Sequence, residues 1–281
     1  MKYLILLISS VLFLHQVCRA AELAEIVPPG FLFELLALNG DLETVQNPKY
    51  LSPSSMIVSP DNQYIYIGAQ TAKKVLVFSI ESNSVVNSLL LPNEPSGLAI
   101  SADGSKIYVT CSSELWPNGM VCIVNTVSAL VESRISAGHM ARSPVLSPDE
   151  RMLYVCNWLE NSISFINLTS GKEEKRVPAI KEPYSMKLSK DTGFLVVANM
   201  IPDGIATDTA MTCKVCFINT SSGKITKTLR LPTGSHSTTD ICLSPDGKWA
   251  FIPHLIGRVS LPAVTLDQGW VHSNNMAIID M

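Results

Sequence analysis

A tight turn that returns five times limits what this chain can fold into more than anything else in it. Ser147-Pro148-Asp149-Glu150 leads into the apolar run Met152-Leu153-Tyr154-Val155-Cys156-Asn157, and a short loop then leads to Ser162-Ile163-Ser164-Phe165-Ile166-Asn167. Variants stand at Ser59-Pro60-Asp61, Ser101-Ala102-Asp103-Gly104, Ser189-Lys190-Asp191 and Ser244-Pro245-Asp246-Gly247, each ahead of a similar run. The turn aspartates Asp61, Asp103, Asp149, Asp191 and Asp246 follow one another at intervals of 42, 46, 42 and 55 residues. A period of roughly 40–50 residues, with about four short strands in each unit, is that of a β-propeller blade. The fold class that follows is all-β: a propeller of four-stranded antiparallel blades, about five of them present and the fifth incomplete. The turn itself has a structural explanation. Proline suits its second position, aspartate bonds neighbouring backbone N–H groups, and glycine takes positive φ.

Blade one is predicted from Leu51 to Pro92, and the next three repeat its plan. Blade five offers Asp240 to Leu243, Trp249 to His254 and, after a long excursion, Met276 to Asp280, with no fourth strand behind it. An unfinished last blade exposes an apolar edge. Two readings stay open: the chain is an N-terminal fragment of a longer one, or Phe31 to Leu38 supplies the missing strand and closes a five-bladed ring.

The first residues read as an address. Lys2 precedes an apolar run from Tyr3 to Leu14, and Cys18-Arg19-Ala20 supplies small residues three and one before a cut. That is the pattern of a secretory signal peptide cleaved after Ala20, and the run falls short of the roughly 20 residues that cross a bilayer. The expected organisation is a signal peptide over residues 1–20, an N-terminal extension over 21–50 and the propeller over 51–281. The expected location is outside the cytoplasm: periplasm, cell surface or extracellular space. No transmembrane segment is expected after cleavage.

Only 16% of residues are charged and the formal net charge is −3, without a Lys/Arg-rich run. An electrostatic footprint for nucleic acid is missing. Of seven cysteines, Cys18 leaves with the signal peptide, and an even number in an exported chain raises the question of disulfides. Cys111 and Cys122 flank one hairpin loop and are the candidate pair. Cys122 and Cys216 share one blade position with Ser164, so cysteine also behaves here as a small buried residue. Cys213-Lys214-Val215-Cys216 has no histidine after it and is not a haem-attachment motif. No cofactor is expected in this chain. Asn167-Leu168-Thr169 and Asn219-Thr220-Ser221 match the N-glycosylation pattern, so Asn167 and Asn219 are acceptor candidates in a eukaryotic host.

Tyr-Val-Cys-Asn at 154–157, with Ser162 to Asn167 and Thr169-Ser170-Gly171-Lys172 behind it, resembles the YVTN-type (surface-layer-like) β-propeller repeat proteins. The stretches Gly138 to Ser147 and Pro253 to Trp270 are similar to an exported bacterial subgroup of that family. The resemblance covers about Leu51 to Met281. It implies a full ring of seven blades, sometimes with a cytochrome c-type domain behind it. It says little of activity, because propellers host many unrelated functions.

In a four-stranded blade, the second-to-third strand loop and the connection to the next blade share one face. The long loops Ser112 to Gly119, Met200 to Thr212 and Leu255 to Asn275 therefore emerge together, and loops on a rigid scaffold are where binding sits. On that face, Asn93, His139, Lys181 and His236 stand eight residues before the turn serine. Ser96, Arg142, Tyr184 and Thr239 stand five before it. Equivalent positions fall on a circle, so these residues are expected to form two partial polar rings at the channel mouth. The candidate ligand-binding residues are His139, Arg142, Lys181, His236, His254 and Arg258, forming a modestly cationic rim for a small anionic ligand or an acidic segment of an unknown protein. His254, Trp270 and His272 share the longest loop, but without paired spacing or a carboxylate cluster no metal site is assigned. The expected function is an exported, monomeric binding or scaffold module rather than an enzyme. The alternatives are the propeller part of a periplasmic cytochrome c-linked oxidoreductase and a lactonase-like hydrolase. No catalytic residue is assigned.

Overall fold

The computed structural model describes residues 50–112, 117–189, 193–205, 207–257 and 272–281. The expected signal peptide, Phe31 to Leu38, Asp191, Arg258 and Trp270 lie outside the described residues.

The described residues form a propeller of five blades. Blade one consists of β1 (Pro53–Val58), β2 (Tyr64–Ala69), β3 (Lys74–Ser79) and β4 (Ser84–Leu90), hydrogen-bonded in that order. Blade two has β5 (Pro95–Ile100), β6 (Lys106–Cys111), β7 (Gly119–Asn125) and β8 (Val131–Ala137). Blade three has β9 (Ala141–Leu146), β10 (Met152–Asn157), β11 (Ser162–Asn167) and β12 (Lys172–Pro178). Blade four has β13 (Pro183–Leu188), β14 (Phe194–Asn199), β15 (Lys214–Asn219) and β16 (Ile225–Arg230). Every pairing is antiparallel.

Blade five departs from the plan. Its inner strand is split into β17 (Ser235–His236) and β18 (Cys242–Leu243), which pair the same edge of β19 (Trp249–Gly257); β20 (His272–Asp280) runs along the other edge. The sequence pattern predicts a single inner strand at Asp240 to Leu243. The break arises because blade four claims the intervening residues: Thr238 donates to the Asn199 carbonyl (2.6 Å) and Asp240 accepts from Ser185 Oγ (3.0 Å).

The amino-acid pattern explains the packing. Middle strands such as Met152–Asn157 are buried on both faces, so they read as continuous apolar runs rather than an alternation. Outer strands such as Lys172–Pro178 alternate, with Val177 and the half-buried Glu173 and Lys175 on one side and Lys172, Glu174 and Arg176 exposed on the other. Four buried clusters each bridge adjacent blades. Tyr66 and Val109 sit between blades one and two, Val121 and Leu153 between two and three, Phe165 and Val197 between three and four, and Val215 and Ile252 between four and five.

The turn serine and aspartate act as a unit. Ser59, Ser101, Ser147 and Ser244 each donate to the aspartate two residues on at 2.5–2.6 Å, and each hydroxyl accepts the N–H that opens the second strand. The residue after that aspartate has positive φ throughout: Asn62, Gly104, Glu150 and Gly247.

Bulges recur as regularly as the turns. The first and second strands shift register near residues 53–55, 95–97 and 183–185, and also within β9. A bulge re-aims the extra side chain. Ser54 and Ser96, freed in this way, donate to Pro95 O (2.9 Å) and Ala141 O (2.5 Å) of the following blade. Ser143 takes the Met186 N–H at 3.0 Å. With Ser185 to Asp240, which stands between β17 and β18, a serine latch joins each of the first four inner strands to the following blade.

Candidate functional site

The loop face is pinned by side chains at the ends of the second strands. Asn157, fully buried, accepts the Gly138 N–H (2.9 Å) and donates to Ser162 Oγ (3.0 Å) and Ser164 Oγ (2.8 Å). A Cβ at Gly138 would stand 2.5 Å from Asn157 Cγ, so the connection approaches as closely as it does only because residue 138 is glycine. Asn199 repeats the arrangement in blade four, accepting the Lys181 N–H at 3.1 Å.

After Asn157 the chain makes one 3₁₀ turn, Trp158–Glu160, and leaves it through Asn161 in the left-handed region. Two bonds tie this turn to blade four: the Glu182 N–H donates to Asn161 Oδ1 (2.7 Å), and Trp158 Nε1 donates to Glu182 Oε2 (2.9 Å). They bring Trp158 edge-on to Tyr184, with ring centroids 5.4 Å apart. Arg142 reaches into this corner from β9. Its Cζ lies 3.1 Å from the centroid of the Tyr184 ring and 5.3 Å from that of Trp158. Burial pushes the guanidinium below its usual range, partly offset by the Tyr184 hydroxyl, and the group stays a cation at neutral pH. Among the described residues no carboxylate pairs with it.

The other expected rim residues divide. His139 is half-buried, its backbone N–H held by Glu160 Oε1 (2.7 Å), and its Nε2 is buried without a hydrogen-bond partner among the described residues. Lys181 is half-buried on the same connection as Glu182. His236 stands in β17 opposite Leu255, and its Nε2 stands 3.2 Å from His272 Nδ1 of β20. Burial and then the neighbouring His272 and His254 push its pKa down. His254 is not on the rim: it is 4% exposed and turned toward blade four, on the face of β19 that carries Ile252. Ser96 is spent on a latch and Asn93 bonds its own neighbour's N–H, so neither ring is continuous. Glu94, Glu160 and Glu182 share these connections and loops, so the rim is mixed in charge rather than cationic.

What the sequence pattern missed is Trp158. It follows the Tyr-Val-Cys-Asn run directly, in the loop of the blade that carries Arg142, and that shared blade and face were the available signal.

The thiols are structural in their surroundings. Cys156, Cys213 and Cys216 are buried; desolvation pushes Cys213 up to about 12 and Cys216 to about 11. Cys111 and Cys122 are diagonal neighbours across β6 and β7, with free sulfurs 3.8 Å apart. Asn167 and Asn219 close their hairpins: Asn167 Oδ1 accepts from Thr169 and Ser170, and Asn219 Oδ1 from Ser222. Among the described residues no group of three or more His, Cys, Asp or Glu side chains could hold a metal ion, and no helix is long and apolar enough to cross a membrane.

Comparison with known proteins agrees with this architecture. Residues 96–206 match the YNCE-like beta-propeller family. Antigen Lp49 of Leptospira interrogans serogroup Icterohaemorrhagiae serovar copenhageni (strain Fiocruz L1-130) is 26% identical over 109 residues, which is 35% of this chain and 24% of that protein. The match thus spans about a quarter of the curated relative. Among solved structures, a chain of Kuenenia stuttgartiensis hydrazine synthase superposes with a TM-score of 0.74 at 22% identity, covering 86% of this chain and 66% of that one. At that identity the likeness is one of fold.

Proposed function

We propose that this propeller is an exported binding module whose loop face captures an anionic group at Arg142. One observation carries the reading: a half-buried guanidinium is held over the Tyr184 ring, its Cζ 3.1 Å from the ring centroid, with Trp158 beside it, and no carboxylate among the described residues pairs with it. Stacking on aromatic faces fixes the plane of an arginine while leaving its N–H edge available. That edge is the fork that binds a carboxylate through two parallel hydrogen bonds. His139, three residues earlier, offers a second polar atom without a partner. The ligand is a small carboxylate or an acidic segment of a partner protein, met outside the cytoplasm after residues 1–20 are removed.

The test is calorimetric titration of the protein with an acetylated tri-glutamate peptide. Saturable binding is expected, weakened at least tenfold by Arg142→Ala. Arg142→Lys should not restore it, because an ammonium lacks the planar fork. Equal binding by Arg142→Ala and the parent protein would overturn the reading.

A second reading is supported by the likeness to a chain of hydrazine synthase, an enzyme. In it the propeller is the scaffold part of a periplasmic cytochrome c-linked oxidoreductase. It predicts covalent haem on the natural protein, detectable in its intact mass; a haem-free mass would remove it.

A further inference from the structure

The opposite face is formed by the Ser-x-Asp turns and the third-to-fourth strand hairpins. The repeat makes its blade junctions comparable position by position. In every complete blade a bulge follows the same cross-strand pair: Val77 with Asn87, Ile123 with Ser133, Phe165 with Lys175, and Phe217 with Lys227.

Between blades three and four the chain fills the junction with its own lysine. Lys175 Nζ lies 4.6 Å from the centroid of the Phe165 ring and donates to the carbonyls of Ser221 (3.1 Å) and Thr220 (3.4 Å) in the next blade's hairpin. In blade four, Lys227 takes the same seat over Phe217 at 5.0 Å. Between blades two and three the seat holds Ser133, and Leu168 packs against the core there instead.

Between blades one and two nothing of the kind is present. Asn87 stands where Lys175 does and is too short to cross; Val77 stands in place of Phe165. A cavity of about 490 Å³ remains, with Tyr64, Tyr66 and Val77 among its walls and Asp61 and Asp103 also lining it. Thr126 and Val127, which also line it, occupy the hairpin positions of Thr220 and Ser221, whose carbonyls hold the lysine in the filled junction. The turn serines keep both aspartates below the usual carboxylate range, and no basic side chain among the described residues pairs with either.

We propose that the groove between blades one and two receives a lysine side chain presented by a partner protein, seated as Lys175 is seated between blades three and four. The aliphatic stem would lie along Val77 and the tyrosines. The ammonium would meet the two carboxylates, with a tyrosine ring available for cation–π contact. This site is independent of Arg142, which lies on the other face.

The probe is Nα-acetyl-lysine methylamide, with Nα-acetyl-norleucine methylamide as the same stem without the charge. Binding is read by chemical-shift titration at the methyl groups of Val77 and Val86. The lysine probe is expected to saturate the parent protein and the norleucine probe to bind at least tenfold more weakly. Asn87→Lys should place the chain's own ammonium in the groove and lower binding tenfold or more, while raising Tm. Should that variant fold poorly, the pair Asp61→Asn and Asp103→Asn should give the same loss. No saturable binding of the lysine probe, equal binding of the norleucine probe, or undiminished binding by a folded variant would overturn the proposal. Butane-1,4-diamine binding more than tenfold tighter than the lysine probe would assign the groove to free amines and overturn the protein-borne lysine.

Discussion

Arg142 and Tyr184 occupy the same repeat position in neighbouring blades, and the guanidinium of one lies 3.1 Å from the ring centroid of the other. The contact depends on the bulge in β13, which leaves Tyr184 unpaired between Pro183 and Ser185 and aims its side chain across the blade boundary. Tyr184→Phe should preserve the stacking and Tyr184→Ala should release Arg142. The alanine variant is expected to lose about 1 kcal/mol of stability, in the range of a partly desolvated cation–π contact, and to weaken tri-glutamate binding in the same titration. Chemical denaturation of the two variants side by side checks the first effect.

Asn157 predicts a larger cost. Its amide is buried and satisfies the Gly138 N–H and two serine hydroxyls. Asn157→Ala strands those groups without water and should cost about 2 to 3 kcal/mol, read as a lower urea midpoint with an unchanged m-value.

The hairpins between third and fourth strands make a paired prediction. Four residues after the strand end the backbone is left-handed in every complete blade: Asn83, Ala129, Gly171 and Gly223. Ala129 alone carries a side chain poorly suited to that region. Ala129→Gly should stabilise by roughly 0.5–1 kcal/mol. Gly171→Ala should cost about 1 kcal/mol from the backbone alone, since a Cβ there meets nothing within 4 Å. Opposite shifts in Tm are the expected pattern.

Acid should loosen the turns in a defined window. The Ser101 hydroxyl, helped by the Ser105 N–H and hydroxyl, lowers Asp103 from 3.8 to about 2, and Asp61, Asp149 and Asp246 shift the same way for the same reason. Groups with depressed folded pKa values contribute fully above the unfolded value and lose that contribution as pH falls through the folded one. Stability should therefore decline between about pH 4 and pH 2. Asp103→Asn should flatten part of that slope in a pH series of thermal melts.

Thiol labelling should separate the cysteines. Cys242 is exposed, whereas Cys111, Cys122, Cys156, Cys213 and Cys216 are buried. In the folded protein an alkylating reagent should modify Cys242 first and the others only at the rate of unfolding. Intact mass before and after reduction will show whether the Cys111 and Cys122 sulfurs, 3.8 Å apart as free thiols, close to a disulfide in the natural protein.

Most of the architecture was legible in the sequence because the repeat supplies its own alignment. The turn serine and aspartate, the apolar middle strands and the hairpin asparagines recur at matching offsets, and each is a local device. The split inner strand of blade five was not legible, since Asp240 is held by Ser185, 55 residues earlier. Nor was the burial of His254, which depends on which face of β19 meets blade four. The corner around Arg142 failed for a related reason: Trp158 and Tyr184 converge only through Glu182, which belongs to the next blade.

The serine latches have a consequence for how strain spreads. Each joins one inner strand to the following blade, and the four buried clusters follow the same succession, so among the described residues blade three is coupled on both sides while blades one and five are each coupled on one. Coupling of this kind behaves as a line of nearest neighbours. A lesion in blade one should stay local, whereas one in blade three should decouple the two halves, so that amide exchange in blades one and two no longer tracks exchange in blades four and five.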